Sequence, residues 1–241
     1  NFDNSNKRWR VFATSKKKNF DYYADDVIYT PPPQSLLKHL DDSLEINQNY
    51  KNRIQNLPDP SGALVFYSAL KKEHIKNSSS SHYQVVSHDL GSLFVSISEE
   101  GDGRAPKGEI TLIASLFTKT KSWFNLDKRE YIEKKKEYLK KISSELESQF
   151  DIASENWLHK ELATPLGFEK WTNRPNGIVG GLGQNPDTFG LFGLSSRTPF
   201  QGLWLCGDSI YPGEGTAGVS QSALMVSRQI LASKGIKNFN L

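Results

Sequence analysis

An α+β fold is what this chain predicts: a largely antiparallel sheet covered by helices, followed by a C-terminal strand, loop and helix of α/β character. Three observations predict it. Between residues 63 and 117 apolar residues come in short runs or alternate singly, with glycines and a proline between them, the pattern of paired strands joined by turns. From Asp127 to Phe150 the apolar spacing becomes helical. Near the end, the short apolar run Leu203 to Cys206 passes into glycines and then into a second helical pattern.

Taken in order, Arg10 to Thr14 and Tyr22 to Tyr29 read as short strands around a polar turn, the latter ending in Val27-Ile28. Pro31-Pro32-Pro33 stiffens the backbone into an extended path, either a crossing between two bodies or an ordinary loop. Gln34 to Leu40 predicts a short helix with Leu36, Leu37 and Leu40 on one side. Ala63 to Tyr67, His82 to Val86 and Ile110 to Phe117 predict strands, and Leu93, Val95 and Ile97 alternate with Phe94, Ser96 and Ser98. In the long helix Tyr131, Leu139, Ile142, Leu146 and Phe150 form the apolar stripe; Asp127 caps it, with Glu130 in the capping-box position. From Ala163 to Phe200 glycine and proline break every period, but Trp171, Ile178, Val179, Leu182, Phe189 and Phe192 predict an ordered passage.

Composition limits the functions open to such a fold. The 241 residues suffice for one large domain or two small ones, and 11% aromatics argue for a packed core. The net charge of +3 arises from 30 basic and 27 acidic residues, a balance that does not predict nucleic-acid binding. Lys16-Lys17-Lys18 and Lys134-Lys135-Lys136 read as solvated faces. The single cysteine, Cys206, excludes an internal disulfide and fits a reducing compartment. No apolar run approaches the ~20 residues that a bilayer crossing needs. A chain starting at Asn1 rather than Met is expected to be a processed or truncated product.

The stretch from Gly202 to Val219 carries the chemistry. A short apolar strand is closed by Gly207, and Asp208 follows at its C-terminal end, where ligands sit in α/β folds. Gly213 and Gly215 then let the backbone approach a flat or anionic ligand. From Gly218 onward Val219, Ala223, Val226 and Ile230 predict a helix whose amide end points back at the loop.

Residues 203–230 resemble the C-terminal FAD-binding motif of the phytoene desaturase and carotenoid isomerase family: Gly-Asp, then Pro-Gly-x-Gly, then Ala-Gly-Val entering a helix. Ala163-Thr164-Pro165, Glu169 to Thr172, Arg174-Pro175-x-Gly177 and Gly180-Gly181 are similar to the region which that family uses beside its flavin. Ala24 to Ile28, followed by the prolines, resembles the family's crossing from cofactor domain to substrate domain. The cyanobacterial type is the nearest in pattern. The resemblance implies FAD as cofactor, a carotenoid as substrate and a peripheral position at the cytoplasmic side of a membrane. It implies strands of the FAD domain in residues 1–30, a substrate-binding domain in 31–196 and the last FAD-binding strand, loop and helix in 197–241. It makes Asp208, after Gly207, the acceptor for the ribityl chain. Ala217, Gly218 and Val219 become amide donors to the isoalloxazine edge, Gly213 and Gly215 close-approach positions, and Trp171, Gly180 and Gly181 the lining of the polyene channel. The family's N-terminal Gly-x-Gly-x-x-Gly unit, which holds the pyrophosphate, does not occur in this chain. FAD is therefore expected to bind weakly or not at all to the isolated chain, which is expected to be inactive outside a full-length oxidoreductase.

Other signals are weaker. His159 and Glu161, or His82 and His88, lack a third ligand at a metal-binding spacing. Ser209 and Ser220 do not stand in a nucleophile elbow, and Cys206 reads as a buried strand residue. Arg174 and Arg197 could orient a cofactor or form structural ion pairs. No residue is singled out as a catalytic acid or base. The competing readings are a non-catalytic module that holds an apolar ligand or partner, and another flavoprotein of the amine oxidase superfamily.

Overall fold

The computed structural model describes residues 1–3, 5–15, 18–58, 61–183 and 185–236. Lys16 and Lys17 of the first basic run fall outside them. In chain order the strands and helices are β1 (Phe2–Asp3), β2 (Arg8–Ser15), β3 (Lys18–Ala24), β4 (Val27–Tyr29), α1 (Leu36–His39) and α2 (Gln48–Gln55). They continue with β5 (Gly62–Lys71), β6 (His82–Ser87), β7 (Gly91–Ile97), β8 (Glu109–Thr118), α3 (Lys121–Phe124) and α4 (Lys128–Phe150). The last are β9 (Trp157–Ala163), α5 (Pro165–Thr172), β10 (Leu203–Leu205) and α6 (Gly215–Ser233). The expected α+β class is the observed one.

Two compact units are formed, one from Asn1–Pro60 with Gly180–Leu241, the other from Ser61–Val179. The described residues of 31–60 and 180–196, expected with the substrate domain, thus pack with the unit that carries the C-terminal loop. The physical reason is a shared core, in which Leu36, Ile54 and Leu194 are buried together with Leu203, Leu205 and Ile210.

The second unit is built on a five-stranded antiparallel sheet in the order β6-β7-β8-β5-β9. Alternation places Leu64, Phe66, Leu93, Val95, Leu112 and Ala114 on one face. Against that face α4 packs the i, i+4 row of Ile142, Leu146 and Phe150, all fully buried. Asp127 and Glu130 form the expected capping box. β5 runs past the expected end at Tyr67 to Lys71. Ser68 interrupts the apolar pattern but stays buried, because its hydroxyl donates to the Leu112 carbonyl at 2.7 Å.

In the first unit β1, β2 and β3 make an antiparallel ribbon, and β4 pairs in parallel with β10. The register sets Leu203 against Val27 and Leu205 against Tyr29. Trp9 anchors ribbon to strand by donating from Nε1 to the Gln201 carbonyl at 2.9 Å. Gly202, at φ +73°, has no alternative here: a Cβ would meet the Asp25 carbonyl at 2.3 Å.

Candidate functional site: the loop between β10 and α6

β10 delivers Cys206, Gly207 and Asp208 at its C-terminal end. Cys206 N donates to the Tyr29 carbonyl at 3.0 Å, extending the pairing with β4 by one bond. The next amide, Gly207 N, leaves the sheet and donates to Ser222 Oγ at 3.1 Å. Ser222 lies on the buried face of α6, and its hydroxyl also reaches Cys206 Sγ at 3.6 Å. One serine thereby fixes the angle between strand and helix. Cys206 is half-buried rather than buried as expected, because it sits just beyond the strand.

The loop then folds back on itself. Gly207, Gly213 and Gly215 have φ of +123°, +125° and +87°, conformations that a side chain disfavours. Gly213 N donates to the Ile210 carbonyl at 2.9 Å. Gly218 packs on the same turn, and a Cβ there would meet the Gly213 carbonyl at 2.4 Å. Asp208 is half-buried, and Ser209 Oγ donates to its Oδ1 at 3.2 Å.

The helix starts at Gly215, three residues before the position its apolar spacing predicts. Glu214 is its N-cap and makes no side-chain cap. The shift alters which amides are free. With this start Gly218 and Val219 donate within the helix, and the amides lacking an intrahelical acceptor are those of 214–217. Residues 214–217 are exposed. Of the expected donors Ala217, Gly218 and Val219, Ala217 has an amide without an intrahelical acceptor, as do Gly215 and Thr216.

Gly180 and Gly181 meet this loop. Gly181 N donates to Glu214 Oε2 at 3.1 Å. A Cβ on Gly181 would lie 1.9 Å from the Asp208 carbonyl. Trp171, on α5 of the other unit, is 82% exposed, with Lys170 Nζ 5.4 Å from its ring centre. Arg197 donates from Nε to Gln229 Oε1 at 3.0 Å. Both line a groove of about 940 Å³, with Asp25, Trp204 and Lys234, beside the N-terminal ends of β4 and β10. Ligands of parallel strands gather at the opposite, C-terminal end, so Arg197 reads as structural. His159 and Glu161 are neighbours on an exposed edge strand, 3.8 Å apart.

The loop therefore offers a row of exposed helix-start amides, a neighbouring carboxylate and glycine backbone without Cβ atoms. Such a surface fits a flat ligand with an electron-rich edge.

No family model matches the chain. It is 27% identical over 184 residues to prolycopene isomerase of Daucus carota, covering 72% of this chain and 30% of that protein. The corresponding protein of Arabidopsis thaliana is 28% identical over 184 residues, with 72% and 31% covered. The chain is similar to these carotenoid isomerases. A third relative, prolycopene isomerase 1 of an Oncidium hybrid cultivar, is 30% identical over 150 residues, 61% of this chain and 25% of that protein. The chain thus spans about 30% of the length of these curated relatives. Among solved structures, an oxidoreductase from Methanosarcina mazei has a TM-score of 0.55 at 13% identity, covering 92% of this chain and 49% of that one. Cyclohexylamine oxidase from Brevibacterium oxydans gives 0.56 at 12%, with 92% and 46% covered. At this identity the likenesses show a shared fold.

Two participants were not legible from spacing. Ser222 was not singled out, and its signal was its place between Val219 and Val226 on the core side. Glu214 stood inside the motif, but its partner Gly181 is 33 residues away.

Proposed function

We propose that the chain is the substrate-side portion and last cofactor-binding element of an FAD-dependent oxidoreductase that desaturates or isomerises a carotenoid. What supports this most is the loop after β10, where Asp208, the exposed first turn of α6 and the Gly180-Gly181 pair converge in a chain similar to prolycopene isomerases. In this reading Asp208 holds the ribityl chain, and Gly215, Thr216 and Ala217 donate to the pyrimidine edge of the ring. Gly207 and Gly213 allow the backbone to lie close beneath it. Trp171, Gly180 and Gly181 belong to the substrate side. The redox chemistry, or assistance to rotation about a double bond, comes from the cofactor when bound; the protein orients the polyene and keeps water away. A carotenoid resides in a bilayer, so the enzyme works as a peripheral membrane protein, at the cytoplasmic face in a reducing compartment. No helix among the described residues is long and apolar enough to cross a membrane.

The test is an assay of the longest reading frame that contains the chain, supplied with FAD and a panel of linear carotenoids, with pigments followed by chromatography. A changed double-bond count or cis–trans pattern is expected. Unchanged pigment with every substrate removes the carotenoid assignment.

A further inference from the structure

α6 begins oddly for a helix whose first turn meets a ligand. Its N-cap, Glu214, has φ −76° and ψ 172°. From that backbone a short Asp or Ser side chain turns back onto the second or third helical amide. Glu214 does not. Its Oε2 accepts instead from Gly181 N at 3.1 Å. The contact is close on every side: a Cβ on Gly180, at φ +71°, would lie 1.9 Å from that same oxygen. On its other side Gly181 abuts the Asp208 carbonyl. The two glycines thus lie between the backbone of Asp208 and the carboxylate of Glu214: Gly181 has no room for a Cβ against that backbone, and Gly180 holds a positive φ that disfavours one.

The length of the side chain decides this arrangement. A glutamate reaches Gly181. An aspartate, one methylene shorter, falls back on the amides of Thr216 and Ala217 and closes the helix start. We infer that Glu214 is a positioning residue: its carboxylate fixes the Gly180-Gly181 turn against Asp208 and, being engaged there, leaves the first amides of α6 open to a ligand. The identity of that ligand rests on the flavin reading; the latch itself does not.

Reach and charge are separated by two variants. Glu214→Gln keeps the reach and an acceptor oxygen, whereas Glu214→Asp keeps the charge and loses the reach. In the 241-residue chain, amide hydrogen exchange is measured at Gly181, Thr216 and Ala217. Glu214→Gln is expected to match the wild type. Glu214→Asp is expected to speed exchange at Gly181 about tenfold and to slow it at Thr216 or Ala217 by a similar factor, as loss and gain of one hydrogen bond imply. In the longest reading frame containing the chain, Glu214→Asp should weaken FAD retention about tenfold while melting no lower than wild type, as expected when a new cap stabilises the helix but fills it. A residue with only a structural role would not lose binding while keeping stability. Unchanged exchange at Gly181 in Glu214→Asp, or FAD retention equal to wild type, overturns the inference. Wild-type protein that takes up no FAD while the exchange pattern holds overturns the flavin reading and leaves the latch standing.

Discussion

Gly218 carries two opposed expectations. In a helix interior Gly→Ala is favourable by about 1 kcal/mol, but here the added methyl would meet the Gly213 carbonyl at 2.4 Å. Backbone against backbone has little room to relax, so Gly218→Ala is expected to destabilise the chain by about 1–3 kcal/mol. Urea unfolding measures this, and a stabilised variant would show that the loop is slack. Asp208→Ala, in the longest reading frame containing the chain, is expected to reduce FAD retention tenfold or more, the effect of removing a charged acceptor; flavin bound as in the wild type would mean that Asp208 has another role. At this scale the motif was readable because Gly207, Asp208, Gly213 and Gly215 lie within nine consecutive residues of one another. Their contacts with Gly181 and Ser222 were not, since nothing local couples an amide to an acceptor so far along the chain.

Among the elements, those with strong periodicity or caps were legible and those held by a neighbour were not. α4 announced itself through its apolar stripe and capping box. Asp127→Ala is expected to cost about 1 kcal/mol, measured by thermal or urea unfolding, with no change taken as evidence that the cap is idle. β9 was missed because Leu158, His159, Lys160 and Glu161 are all exposed and only Leu162 is fully buried. An edge strand gains its order from one pairing partner, here β5, and tolerates charge. α2 was missed likewise, with Ile54 its one buried side chain and Asn47 its cap. The two ends of the first unit are joined by an ion pair before β4 and after α6, with Lys234 Nζ 2.8 Å from Asp26 Oδ2. Burial alone would raise the Asp26 carboxyl, but hydrogen bonds from Lys234 and Trp204 Nε1 outweigh it and hold the group below its usual value. A carboxyl lowered by folding adds stability above its unfolded value and loses that contribution as pH falls through the folded one. Asp26→Asn should therefore be less stable than wild type at pH 7, with the gap closing as pH drops below about 4. A gap independent of pH would assign the effect to packing.

At the scale of the whole molecule, the two units differ in how the chain makes them. Ser61–Val179 is one continuous segment with its own core, so residues 61–179 expressed alone are expected to unfold cooperatively. Within that segment Leu146→Ala should cost about 2–5 kcal/mol; a broad, non-cooperative melt of the wild-type segment would show that its core is incomplete. The other unit is assembled from both ends of the chain, an arrangement that composition and periodicity do not encode. The sequence by itself determined the α+β class, the antiparallel hairpins, the long capped helix and the glycine-lined motif, because each depends on residues close in the chain and on short-range backbone rules. Only tertiary structure decided that residues 31–60 and 180–196 join the C-terminal loop, that α6 opens at Gly215, and that Glu214 turns away from its own helix. Those outcomes depend on which apolar surfaces find each other and which distant amide lies within reach of a carboxylate, and such choices are made in space rather than along the chain.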